Sequence, residues 1–270
     1  MTSVNTNVGA LVALQNLNST QFNLNKTQNQ VSTGLRISSP IDDAADFAIA
    51  QGLRSNLTAY TSVQQSLSSA TGVLSVAIAG ATSVSNLLAS INSTAIQASN
   101  PSNTLSQQSI LAANFNAQLL QLNTFISNSV YNGLNLLSAG AASVTITQTI
   151  SGGQLTINNA SSLSQVSVAL SGGVSTTAAA LSLISTITAQ QLVVGTALGT
   201  LGASQNAINF LTTFTQTLSN AVTQGLGSLV DANLAQASAQ LQAQQVQQQL
   251  GVQALSIANA RPQILLSLFR

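Results

Sequence analysis

Histidine, cysteine and tryptophan are all missing from this 270-residue chain, and charge is nearly so: five basic and four acidic residues, 3% of the total. An ordinary soluble domain carries roughly 25% charged residues. Each absence closes off a class of chemistry. Without cysteine there is neither a disulfide framework nor a thiolate metal site. Without histidine the usual general base at neutral pH is gone, so the many serines and threonines have nothing to activate them, and no G-x-S-x-G elbow holds one. Lys26, the one lysine, stands outside any phosphate-binding loop. A net charge of +1 with no basic stripe argues against a nucleic-acid partner. No 18 consecutive apolar residues occur, so membrane insertion is not expected. Met1-Thr2-Ser3-Val4-Asn5 has neither the basic start nor the apolar core of a cleaved secretory signal. Asp42, Asp43 and Asp46 make the one carboxylate cluster, and it lacks the glycine and closing glutamate of a calcium loop. A helix start explains Asp42 and Asp43 at less cost. No cofactor, no metal and no catalytic residue is therefore expected.

The apolar fraction, 45%, is ordinary. The polar surface must be built from Ser, Thr, Asn and Gln, with little like-charge repulsion to keep copies apart. The charges are also bunched. Six lie between Lys26 and Arg54, and none falls from Ser55 to Val230.

The strongest pattern is a heptad. Leu53, Tyr60, Leu67, Leu74, Ala81, Leu88 and Ala95 form one track, with Val63, Ala70, Ala77, Val84, Ile91 and Ala98 beside it. Two tracks three and four residues apart make the seam of a helical bundle or coiled coil. This helix should begin near Pro40 to Asp43, with carboxylates on its first amides, and end before Asn100-Pro101. At about 1.5 Å per residue it would span roughly 80–90 Å, which implies a rod. A second helix is expected from about Asn103 to Ser129, with Leu111, Phe115, Leu119, Leu122 and Ile126 on one face. A third should run from about Thr177 to Gln224 along Ile187, Val194, Leu201 and Ile208, with Ala197, Ser204, Leu211 and Leu218 alongside. Its glycines at 195, 199 and 202 each weaken it by about 1 kcal/mol, so packing must hold it. In between, Val144, Ile146 and Ile150, then Leu155 and Ile157, then Val166, Val168 and Leu170 alternate as half-buried strands do. Glycine pairs at 152–153 and 172–173 supply turns.

Both ends carry narrow apolar stripes. Val8, Leu11, Leu14 and Leu17 form one. Val230, Leu234, Ala237, Leu241, Val246, Leu250, Leu255 and Ile257 form the other. Neither stripe could fill a core alone, so the ends are expected to be disordered in a monomer and helical in an assembly. The apolar tail containing Leu268 and Phe269 would be costly to leave wet, at about 1.5–3 kcal/mol per large side chain, which makes it an expected assembly contact. The fold expected is mainly α: a long antiparallel helical rod or coiled coil formed by the two chain halves, with a small β-hairpin element in the middle.

Ser32-Thr33-Gly34-Leu35-Arg36-Ile37-Ser38-Ser39-Pro40-Ile41-Asp42-Asp43-Ala44-Ala45, followed by Ala48-Ile49-Ala50, resembles the N-terminal signature of bacterial flagellins. Leu250-Gly251-Val252-Gln253-Ala254-Leu255-Ser256-Ile257-Ala258-Asn259, with Leu266-Ser267-Leu268-Phe269-Arg270, is similar to the flagellin C-terminus, especially alphaproteobacterial forms. Tyr131-Asn132-Gly133-Leu134-Asn135-Leu136-Leu137 resembles the segment that closes the family's N-terminal helical part. The resemblance implies an inner coiled-coil domain from residues 1–40 and 231–270, and a helical rod domain from 41–140 and 175–230. The β-element of 141–174 would sit on that rod, with no room for the large outer domains many members carry. It implies a subunit that polymerises with itself into an extracellular filament for swimming. Expected partners are a cap protein, a hook–filament junction protein, an export chaperone and the flagellar type III export apparatus. The assembly residues it favours are Leu11, Leu14, Arg36, Asp42, Asp43, Arg54, Leu250, Leu255, Leu268 and Phe269. Asp46 stands where the family usually has glycine, and it could pair with Arg36 or Arg54. The stretch Leu87 to Gln97 lacks the arginine and glutamate by which many members engage the vertebrate flagellin receptor, so weak receptor activation is expected. Alternatives are a hook–filament junction protein, whose ends look alike, a needle or translocator protein of an injection system, and an enzyme with a hidden site.

Overall fold

The computed structural model describes residues 6–268, with side chains as far as Arg261. The elements in order are α1 (Val8–Thr33), α2 (Ala44–Ala98), α3 (Leu105–Asn128), β1 (Val144–Thr147), β2 (Gln154–Ile157), a 3-10 turn (Ser161–Leu163), α4 (Ser164–Ala169), α5 (Thr177–Val230) and α6 (Leu234–Leu268). The fold is mainly α, with long helices packed together and one small antiparallel sheet. The chain divides into two compact units, Met1–Leu57 with Asn220–Arg270, and Thr58–Ser219.

In the second unit the heptad tracks become the core. Leu67, Leu74, Ala81, Leu88 and Ala95 are fully buried, as are Val84, Ile91 and Ala98 on the neighbouring track. On α5, Ile187, Val194, Leu201 and Ile208 are buried in the same cluster, which Phe115, Leu122 and Ile126 of α3 complete. Each of the Leu, Ile, Val and Phe side chains among these contributes about 1.5–3 kcal/mol on removal from water. By length and hydropathy α2 and α5 could each cross a membrane. One face of each, carrying Leu74 and Leu88 on α2 and Ile187 and Leu201 on α5, is buried in this shared core, while other apolar residues of both helices are exposed. The buried track of α5 extends at both ends, to Ala180 and to the polar Thr215.

Local chemistry sets the helix ends. Thr104 and Gln107 form a full capping box at the start of α3. Gln108, itself buried, reaches across to the carbonyl of Val174 at 2.6 Å and ties α3 to the approach to α5. After α3 the chain lies close over α2. A Cβ on Gly72 would meet the Tyr131 ring at 2.5 Å, and one on Gly80 would overlap the Ser129 hydroxyl. These two glycines are the seats that let the segment approach.

The β-element is smaller than the alternation suggests. β1 pairs with β2 in antiparallel register, Val144 opposite Ile157 and Ile146 opposite Leu155. Ile150 lies between them in the turn and is partly exposed. The third expected strand does not form: residues 161–169 are helical. Leu163, Val166, Leu170 and Val174 are buried while Val168 is exposed. Leu163, Val166 and Leu170, three and four apart, fall on one helical face, Val174 is buried beyond the end of α4, and the core selects the helical period over the alternating one.

In the first unit α1 and α6 pack side by side and antiparallel. Asn7 Nδ2 donates to the Ala258 carbonyl at 2.7 Å, Leu17 faces Gly251, and Gln248 donates to Gln21. Asn7 also caps α1 by accepting from the Ala10 amide. Gly34, in the left-handed region at φ 73°, ends that helix.

Candidate assembly surface

The family signature forms a tight joint within the first unit. After Gly34 the chain runs briefly beside the end of α5: Leu35 bridges Asp231, the Arg36 amide donates to the Val230 carbonyl at 2.7 Å, and the Ala232 amide donates to Gly34. Ile37, Ala50 and Val230 fill a small core beneath, with Leu35, Phe47, Leu226 and Leu229 packed on it. Arg36 uses its guanidinium twice. It donates to the Leu229 carbonyl at 2.6 Å and lies 3.5 Å from the Asp46 carboxylate. Asp46 thus pairs with Arg36.

The other carboxylates divide their work differently from the expectation. Asp43 Oδ1 accepts from the Ala45 and Asp46 amides, so it does cap α2. Asp42 instead serves the turn before the helix, where one oxygen accepts from both the amides and the hydroxyls of Ser38 and Ser39. The reason is reach: two consecutive aspartates cannot both fold back on the same first turn. Partial burial pushes the Asp42 carboxyl up, but these four hydrogen bonds outweigh it, and it is held below the ordinary carboxylate value. Arg54 is half-buried on α2.

Among the described residues no cluster of acidic side chains, histidine or cysteine could hold a metal. The surface offers something else. Among the described residues the α1–α6 pair buries only Leu24, Thr27 and Ala237. Leu11 is 58% exposed, Leu14 43% and Leu250 61%, and Leu255 is half-buried. Val8, Val246 and Ile257, members of the stripes read from sequence, are exposed as well, and Val12 and Phe22 on α1 and Val252 on α6 widen those stripes. Phe22 could have been found, since it lies eleven residues after Leu11, about three full turns, and so on nearly the same face. Leu268 ends α6 with its side chain outside the described residues, and Phe269 lies outside them altogether. Apolar stripes of this extent are unusual on a protein that works alone.

The second unit has its own uncovered apolar residues, Leu192, Phe210 and Phe214 on α5 among them. From Thr58 to Ser219 it contains no formally charged residue at all. Its surface therefore meets other molecules through hydrogen bonds and apolar contact alone, and repels copies of itself little.

Two family profiles match the chain: the bacterial flagellin N-terminal helical region over residues 4–142, and the bacterial flagellin C-terminal helical region over residues 184–269. The chain is 34% identical to flagellin FljO of Caulobacter vibrioides over 100% of this chain and 99% of the relative. It is 32% identical to a flagellin of Brucella melitensis over the whole of both chains. Flagellin C of Rhizobium meliloti is 28% identical over the whole of both. Among solved structures, a Bacillus cereus flagellin superimposes with a TM-score of 0.50 at 18% identity, covering 56% of this chain and 88% of that one. A protein from Vibrio parahaemolyticus described as a flagellar hook-associated protein gives 0.59 at 16% identity, over 70% of this chain and all of that one. These two likenesses are of fold.

Proposed function

This chain belongs to the bacterial flagellin family, and on that premise we propose how its two units divide the work of a filament. The protein is a structural subunit that polymerises into the flagellar filament for motility, and the family's role is structural, not catalytic. In this reading the terminal helices α1 and α6 build the inner, self-associating part of the filament, and the charge-free helical unit carries the β-hairpin. The observation that carries this division is the row of large apolar side chains left uncovered on α1 and α6, Leu11, Leu14, Phe22, Val246 and Leu250 foremost. A pair of helices with so thin a buried seam gains its remaining stability from neighbours, since burial of each such side chain contributes about 1.5–3 kcal/mol. The same reading has the ends ordering fully only on assembly. The joint around Arg36, Asp42 and Asp43 then fixes the angle at which the terminal helices leave α2 and α5.

A filament is extracellular. Passage through the flagellar type III apparatus without a cleaved leader, an export chaperone, a cap protein at the growing tip and a junction protein at the base belong to this proposal as the class of partners such a subunit needs.

The experiment adds purified monomer to short filament seeds and images the product by electron cryomicroscopy, alongside a version lacking residues 1–30 and 241–270. Long hollow filaments from the full chain and none from the truncated one are expected. A full chain that caps the seeds, or a truncated chain that still elongates them, overturns the division.

A further inference from the structure

The turn between α3 and β1 carries chemistry that filament assembly does not use. Tyr131 and Leu134 exchange two backbone hydrogen bonds, each 2.9 Å, around the two-residue loop Asn132-Gly133. Asn132 is the only non-glycine among the described residues with positive φ, at 49°, and Gly133 follows at 80°. Both are exposed. This is the only place in the chain where asparagine precedes glycine.

We propose that Asn132 is a spontaneous modification site, at which the protein converts an amide into a carboxylate as it ages. The Gly133 amide nitrogen, after losing its proton to hydroxide, attacks Asn132 Cγ. The new Cγ–N bond closes a five-membered succinimide, the Cγ–Nδ2 bond breaks, and ammonia leaves with a proton from water. Water then opens the ring at either carbonyl, giving aspartate or isoaspartate. No oxidant, metal or cofactor is consumed.

Three observations single out this residue. Gly133 is exposed and a Cβ built on it meets nothing within 4 Å, so no side chain from elsewhere in the fold crowds the residue that supplies the attacking nitrogen. That nitrogen donates to no backbone acceptor among the described residues, whereas the flanking amides of Tyr131 and Leu134 do. The neighbouring Asn135 is by contrast pinned at both ends of its amide. Its Nδ2 donates to the Ile126 carbonyl at 2.7 Å, and its Oδ1 accepts from the Leu137 amide at 2.8 Å. Asn18 and Asn92, each followed by serine, lie inside α1 and α2, where the next amide is committed to the helix ladder. Ring closure requires rotation about ψ of Asn132, which the two hydrogen bonds between Tyr131 and Leu134 resist.

The consequence follows from the surroundings. A carboxylate here is the first formal charge between Thr58 and Ser219, and it takes the net charge of the chain from +1 to zero. Aspartate tolerates the left-handed conformation and keeps the turn. Isoaspartate lengthens the main chain by one carbon, so both Tyr131–Leu134 hydrogen bonds cannot be kept and Tyr131 loses its seat over Gly72.

The test incubates the full chain at mildly alkaline and mildly acidic pH and follows it by isoelectric focusing. Chymotryptic peptides are then mapped with a fragmentation method that separates aspartate from isoaspartate. One acidic species should dominate, carry both products at position 132, form faster in alkali, and be absent from Asn132→Gly, which keeps the backbone conformation. Acidic product mapping first to another asparagine, or an acidic species undiminished in Asn132→Gly, overturns the assignment. Either result stands apart from whether the chain polymerises.

Discussion

Three glycines on two helices should respond to alanine in opposite directions, and their order tests the packing of the charge-free unit. Alanine in a helix interior is favoured over glycine by about 0.8–1 kcal/mol when the site is open. Gly199 on α5 is such a site, exposed and with nothing within 4 Å of an added Cβ. Gly199→Ala should therefore raise the melting temperature of the monomer by about 2–4 °C, as expected for a unit of this size. The three atoms nearest to a Cβ on Gly72 all belong to the end of the Tyr131 side chain, which is already partly exposed and can swing away. Gly72→Ala should come out within about 1 kcal/mol of the unaltered protein, the helix gain offset by the displaced ring. Gly80 is different. An added methyl would overlap the Ser129 hydroxyl and sit 2.9 Å from both Ser129 Cβ and Leu137 Cδ1. A rotamer change at Ser129 does not clear its Cβ, its hydroxyl is bonded to the Phe125 carbonyl at 2.6 Å, and Leu137 is fully buried. Overpacking of about 1–3 kcal/mol and a lost hydrogen bond of about 1 kcal/mol are set against a helix gain of about 1. The net is a loss of about 1–3 kcal/mol, or a fall of about 2–12 °C in melting temperature. Circular dichroism at 222 nm on unassembled protein reads all three. A Gly80→Ala protein that melts as high as the unaltered one, or a Gly199→Ala protein that melts lower, refutes the reasoning.

Acid should act on the joint and spare the charge-free unit. Because the folded Asp42 carboxyl lies below its unfolded value of 3.8, its contribution is complete above that value and fades as pH falls through the folded one. Limited proteolysis of residues 34–46 should be flat from about pH 5 to 8 and rise in stronger acid, and Asp42→Asn should flatten that acid rise. At Arg36 the carbonyl bond matters more than the ion pair: with side chains half and about a third exposed, the pair is worth under about 1 kcal/mol. Arg36→Ala should thus destabilise the joint more than Asp46→Ala, read by amide exchange at Val230 and Ala232. Thr104→Ala should cost about 0.5–2 kcal/mol by removing half of the α3 capping box, measured by thermal unfolding. Purified monomer should activate vertebrate flagellin-receptor reporter cells weakly, and ordinary potency would refute that expectation.

The periodic helices and the two ends were legible in residue order alone. Leu67, Leu74, Ala81, Leu88 and Ala95 stand seven apart, and their spacing marks one buried face, because a helix repeats its faces nearly every seven residues. The joint was foreshadowed by the carboxylates at the start of α2, and the terminal stripes by Leu11, Leu14 and Leu250. Elsewhere the outcome depended on which segments meet in three dimensions. Val166, Val168 and Leu170 satisfy a strand and a helix equally, and the choice fell to the core, which takes Val166 and Leu170 and leaves Val168 outside. Asp42 and Asp43 are identical by type and adjacent in order, yet one holds a turn and the other caps a helix, because only one could reach the first turn. Gly80 and Gly199 are the same residue in the same secondary structure, and one is a seat while the other is open space. Periodicity is carried along the chain and can be counted; which neighbour arrives at a given position is set by segments far away in sequence, and no local pattern records it.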